Sequence, residues 1–184
     1  MPKEEKIILG IDPGTTIMGY AIIAVSGSRM HLQSCDVLKL NKVIGHELKL
    51  KKIFEKTTQL IHDFIPDEIA LEAPFYGKNV QSMLKLGRAQ GVAMAAALAH
   101  EIPVKEYAPK KVKQAITGNG NASKEQVAAM LEHLLAVSLK SKLLDATDAL
   151  GVAVCHYFNR LSSKTSAIKN WDSFIKENPH RVKK

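Results

Sequence analysis

Cysteine is scarce. The 184-residue chain holds two, Cys35 and Cys155, too far apart to make a metal-type pair. We read them as free thiols of a cytosolic protein rather than a disulfide. No apolar run nears the ~20 residues of a membrane span. The opening MPKEEKIILGID has acids among its first charges, and its apolar run breaks at Gly10 and Asp12, unlike a secretory signal. The seven histidines, His31, His46, His62, His100, His133, His156 and His180, show no metal-ligand spacing and read as structural or surface residues. No internal repeat is visible. With 24% charged and 46% apolar residues, collagen-like, coiled-coil and wholly disordered chains are excluded. The length suits one domain.

What the chain does have is positive charge. Lys and Arg number 26 against 18 Asp and Glu, a net charge of +8. Half of the excess falls in residues 161–184 and half in the rest, so it is not only a basic tail. Such a chain attracts polyanions, of which nucleic acid is the commonest.

The hydrophobic pattern predicts an α/β domain. Ile7–Ile11 is a short β-type run stopped by Asp12-Pro13-Gly14. Gly19–Val25 and Met30–Leu40 make two more strands about a turn at Ser26–Arg29, giving a three-stranded antiparallel meander. From His46 the period becomes helical, through Leu50, Ile53, Leu60, Ile61 and Phe64, and Pro66 ends it. Glu68–Leu71 is a fourth strand running into Glu72. A helix follows over Asn79–Ala99. One stripe of it (Val80, Leu84, Gly87, Gly91, Met94, Leu98) is rich in small residues, and suits either a partner helix or packing on its own sheet. Ile102–Val104 reads as a fifth strand and Lys110–Ile116 as a short basic helix. Ser123 with Gln126 forms a capping box opening a helix through Leu135, and a last helix spans Asp145–Arg160. Residues 161–184 read as a basic, flexible tail. This order predicts one α/β domain, a mixed sheet flanked by helices, over residues 1–160.

Four acids stand where such folds place sites. Asp12 follows the first strand, Glu72 ends the fourth, and Asp145 and Asp148 lie three apart at the start of the last helix. Singly, Asp12 suits a turn, Asp145 a helix cap and Asp148 a first-turn acid. Glu72, between Leu71 and Ala73-Pro74-Phe75, has no such plain role. Together the four could hold hard divalent cations, which relieve the repulsion among carboxylates. Two such ions can activate water and stabilise a leaving oxygen in phosphodiester cleavage.

Gly10–Gly14, Leu71–Phe75, Leu84–Gly91 and Asp145–Leu150 resemble, in order and spacing, the motifs of the RuvC family of bacterial Holliday-junction resolvases. The resemblance covers about residues 6–160. It implies a ribonuclease-H-like fold and Mg²⁺-dependent nicking of two opposed strands of a four-way junction in recombination and repair. Asp12, Glu72, Asp145 and Asp148 match the family's catalytic, metal-holding acids, and some members carry His at the position of Asp145. Two Mg²⁺ per site, with Mn²⁺ as a substitute, would follow. Phe75 matches an aromatic residue used near the junction centre, where a ring can stack on an unpaired base. Lys113 and Lys124 match lysines required for cleavage, and Lys78 lies in the Phe75 loop. The family works as a homodimer, alongside branch-migration proteins of the RuvA and RuvB type, in the cytoplasm and without a membrane.

Three rivals follow from the same residues. Gly10–Thr16 looks like the first phosphate loop of the actin and heat-shock ATPase superfamily, but that fold needs two lobes and 184 residues do not supply both. A nuclease of the same fold acting on RNA–DNA hybrids or precursor ribosomal RNA would carry the same acids. A non-catalytic junction binder would have no use for them.

Overall fold

Strand β1 (Lys6–Asp12) pairs antiparallel with β2 (Ile17–Ser26), and β2 with β3 (Arg29–Lys39). The turn carries Gly27 at φ 64° and links Ser26 to its partner Arg29. The expected meander is present. Our computed structural model describes residues 5–74, 79–139 and 144–166.

From β3 the chain runs through α1 (His46–Phe64) into β4 (Glu68–Glu72), which lies parallel beside β1. Ile65, barred from the right-handed helical region by Pro66, turns left-handed at φ 47° and donates its N–H to the Ile61 carbonyl, closing α1. Helix α2 (Val80–Ala99) is capped by Asn79, whose side chain accepts from the Ser82 N–H. It leads to β5 (Val104–Tyr107), parallel to β4, and completes a sheet ordered β3-β2-β1-β4-β5.

Strand β5 begins two residues later than the apolar pattern predicts. It is an edge strand, so it keeps the exposed charges Lys105 and Glu106. Ile102 instead packs against the α1–α2 side, and the Pro103 carbonyl accepts from Ile69.

Helices α3 (Pro109–Thr117) and α4 (Lys124–Leu135) follow, α4 with the expected capping box. Helix α5 (Leu144–Ser166) runs six residues beyond Arg160. The expected boundary at residue 160 therefore falls inside a helix. Residues 161–166 contain neither Pro nor Gly, and extending a formed helix costs little. Trp171 and the rest of the tail lie outside the described residues.

Side chains alternate across the sheet and define two cores. Leu9, Ile11, Met18 and Ile22 face α1 and α2, while Ile8, Ala21, Ile23 and Ala70 face α5 with α3 and α4 behind it. Cys35 and Cys155 are both buried and are not joined in a disulfide. Among the described residues no helix is long and apolar enough to cross a membrane.

Candidate active site

Asp12 and Glu72 close the neighbouring parallel strands β1 and β4 at their C-terminal ends. Helix α5 brings Asp145 and Asp148 to the same edge, because two positions of the sheet beneath it carry no side chain. Gly19 is the register partner of Asp12, and a Cβ there would fall on the Asp145 carbonyl oxygen. A Cβ on Gly10 would likewise meet Ala149 and Ala153, its nearest side-chain neighbour being Ala153 Cβ at 2.9 Å. Two glycines thus let α5 lie almost on the backbone. Asp145 sits inside the first turn of α5 rather than capping it.

A cleft of about 270 Å³ opens here, lined by Asp12, Glu72 and Asp145 together with the Pro13–Gly14 turn and Leu86 and Gln90 of α2. Gln90, which sequence reasoning gave no role, is held by a 2.5 Å bond from its amide to Glu106. Gly19 also escaped notice. Its signal is its place on the hairpin opposite Asp12, readable once the register is known.

The electrostatics are those of crowded acids. Burial, then the charges of Asp148 and Asp145, push the Asp12 carboxyl up to about 7, with Lys124 opposing. Burial, then Asp12 and Asp148, push Glu72 up to about 8 against Lys124 and Lys113. Lys124 is ion-paired with Asp148. Burial opposes its charge, but the hydrogen bond and charge of Asp148, with Asp12 and Asp145, hold its ammonium above the ordinary range. Lys113 Nζ donates to the Ala122 carbonyl at 2.7 Å, close enough to act on Glu72.

The expected set therefore gathers: Asp12, Glu72 and Asp145 share one cleft, and Asp148, Lys124 and Lys113 adjoin it. Among the described residues, however, no three acidic, His or Cys side chains close on one point as metal ligands. Asp148 is turned to Lys124. In kind the donors fit a hard dication, being all carboxylates, two of them held partly protonated by burial and mutual repulsion. Phe75 and Lys78 lie outside the described residues.

The small-residue stripe of α2 faces largely away from the sheet, with Met94 packed against the α1–α2 core. Val80, Leu84 and Leu98 are 65%, 53% and 56% exposed, and a Cβ at Gly87 or Gly91 would meet nothing within 4 Å. The buried face is Ala89, Ala93, Ala96 and Ala97.

The family model described as crossover junction endodeoxyribonuclease RuvC matches residues 8–156. A protein of that name from Cytophaga hutchinsonii is 59% identical, covering 97% of this chain and 89% of the relative. One from Porphyromonas gingivalis is 55% identical and covers 100% of both. Among solved structures, Thermus thermophilus RuvC in complex with Holliday junction substrate aligns with a TM-score of 0.78 at 31% identity, covering 84% of this chain and 94% of that one. The yeast mitochondrial Holliday junction resolvase Ydc2 shares the fold, with a TM-score of 0.60 at 16% identity over 88% and 85% of the two chains.

Proposed function

The chain belongs to the RuvC family of crossover junction endodeoxyribonucleases, and on that premise we propose that it resolves four-way DNA junctions by hydrolysing two opposed strands, with Asp12, Glu72, Asp145 and Asp148 as its catalytic acids. The observation that carries this reading is the meeting of Asp12 and Glu72, half-buried at adjacent strand ends, with the first turn of α5. Buried carboxylates that repel one another cost stability unless a cation serves them.

The four acids would hold divalent metal, Mg²⁺ by preference and Mn²⁺ as a substitute, at two ions per site. Bound there, the metal supplies Lewis acidity and an activated water at the scissile phosphate. The protein's own part is positioning. Asp12 and Glu72 enter from the rigid sheet and Asp145 and Asp148 from α5. Lys124 sits within reach of the acids and would neutralise a phosphate once Asp148 turns to the metal, and Lys113 would do the same from α3. Phe75 and Lys78, in the loop after Glu72, would meet the junction centre, Phe75 by stacking on an unpaired base. The exposed Gly87–Gly91 face of α2 supports a homodimer, which gives one site to each strand cut. Branch-migration proteins of the RuvA and RuvB type would deliver the junction, in the cytoplasm.

One gel tests the reading: a synthetic four-way junction, a duplex and an RNA–DNA hybrid, each with and without Mg²⁺. We expect paired nicks in the junction only, and only with metal. Equal cutting of the hybrid would favour a general ribonuclease-H-like nuclease. Binding without cutting would favour a non-catalytic junction protein.

A further inference from the structure

Helix α5 carries Asp145 and Asp148 and is held beside them by close small-residue packing, by the Lys124–Asp148 ion pair to α4 and by the Cys35 thiol of β3, which donates to the Ala146 carbonyl at 3.3 Å. Ala149 and Ala153 lie on Gly10, and Asp145 lies over Gly19. Small side chains against glycine decide how close a helix sits. They have little relief along its axis and resist sliding poorly.

Further along α5, His156 sits in a buried polar chain. Its Nε2 lies 2.6 Å from Glu68 Oε2 at the start of β4, and its Nδ1 lies 2.8 Å from the Tyr107 hydroxyl at the end of β5. Arg160 Nη2 holds the other Glu68 oxygen at 3.1 Å. One arrangement satisfies every group: a neutral His156 donates Nε2–H to Glu68 and accepts the Tyr107 O–H at Nδ1. Burial, the largest influence on His156, pushes its pKa down and so favours the neutral ring. Burial, with the nearby Cys155 and Glu68, pushes the Tyr107 phenol up to about 12, keeping it a donor.

Tyr107 also faces the catalytic edge. It is the register partner of Glu72, and its carbonyl accepts the N–H of Ala73, the residue after Glu72, at 2.9 Å. One residue thus ties the strand end bearing Glu72 by its main chain and the helix bearing the two aspartates by its side chain.

We propose that Tyr107 and His156 are positioning residues, which fix the axial register of α5 against β4 and so the spacing of Asp145 and Asp148 from Glu72. His156 lies eight residues past Asp148, about 12 Å along the helix, too far to touch the reacting phosphate. A helix transmits axial position over that length with little loss, and a misplacement of about 1 Å in a catalytic group can cost roughly 100-fold in rate. The bonds to Tyr107 and Glu68 tie α5 directionally to β5 and β4, adding axial register against the strand of Glu72 to what the Ala–Gly packing and the contacts to α4 and β3 supply.

This inference rests on the acid-site reading above, and the test separates the two. Tyr107→Phe removes only the donor, His156→Leu removes the whole link, and His156→Gln offers one donor and one acceptor in its place. Mn²⁺ binding to each protein without DNA is followed by electron paramagnetic resonance, junction cutting in single turnover, and folding by thermal melting in chelator. Tyr107→Phe and His156→Leu should shift the Mn²⁺ midpoint upward and slow cutting, each by roughly 10-fold or more. Junction affinity in chelator should stay constant, and His156→Gln should recover most of both losses. A Tyr107→Phe protein with Mn²⁺ midpoint and rate within about twofold of wild type overturns the proposal, whatever His156→Leu does. So do rate losses that vanish once corrected for the folded fraction. If Glu72→Gln also cuts normally, the site reading falls; if Glu72→Gln is inert while Tyr107→Phe is normal, only the positioning role falls.

Discussion

Glu72 shows how the role proposed for one residue can set its function against stability. Its folded-state pKa of about 8 lies above the 4.5 of an ordinary Glu side chain, so between these values the folded protein binds more protons than the unfolded one. Stability from this group is therefore fully present below about pH 4 and falls as pH rises toward 8; Asp12, raised to about 7 from 3.8, acts in the same sense. Glu72→Gln keeps the shape and removes the charge. In chelator at pH 8 it should be more stable than wild type by an amount on the order of 2 kcal/mol, and the gain should vanish near pH 4. Melting curves across pH check this. The same variant should bind junctions normally and fail to cut them, because binding rests on Lys and Arg contacts to phosphate. Rising pH should also lower the metal concentration needed for cutting, since fewer protons then compete for the two carboxylates.

At the scale of elements, the site depends on how closely α5 approaches β1 and β2. Gly19→Ala would drive a Cβ into the Asp145 carbonyl, which is backbone and cannot turn away. Overpacking of this kind costs roughly 1–3 kcal/mol. We expect a lower melting temperature, together with a fall in cutting of at least about tenfold even where the protein is fully folded, because the first turn of α5 is displaced from Asp12. Junction cutting measured well below the melting transition separates the two effects. Most elements were legible from periodicity and caps: the meander, α1, and the Ser123–Gln126 box that opens α4. Two were displaced for opposite reasons. Strand β5 is an edge, so its pattern is polar where a buried strand would be apolar, and α5 continues through residues with no apolar period because nothing in them breaks a helix.

At the scale of the molecule, the exposed α2 stripe sets up a clear test of assembly. Gly91 lies in a helix and a Cβ there meets nothing within 4 Å, so Gly91→Leu should be accommodated within one chain and gain helix propensity, by about 1 kcal/mol at most. A second α2 packed on that face would meet the new side chain instead. The variant should remain folded, with an unchanged or raised melting temperature, yet sediment as a monomer, whereas the proposed dimer of the wild type should sediment at twice the mass. It should also lose coordinated cutting of the two opposed strands. Analytical ultracentrifugation and a junction carrying a label on each strand read both outcomes.

Asp12, Glu72, Asp145 and Asp148 were visible in the sequence as acids at predicted strand and helix ends. Both are short-range properties, since strands and helices announce themselves within a few residues through side-chain period and caps. The basic excess was equally legible, because charge is a sum over composition. What only the tertiary structure decided is which distant segments touch. Gly19 matters because hairpin register sets it opposite Asp12 and under Asp145, 126 residues on in the chain. His156, read from the sequence as a structural or surface residue, joins Glu68 and Tyr107 from two strands, and most of the α2 stripe faces outward. These outcomes depend on sheet order and on the depth at which a helix beds on its sheet. They belong to pairs of segments, and no local pattern carries them.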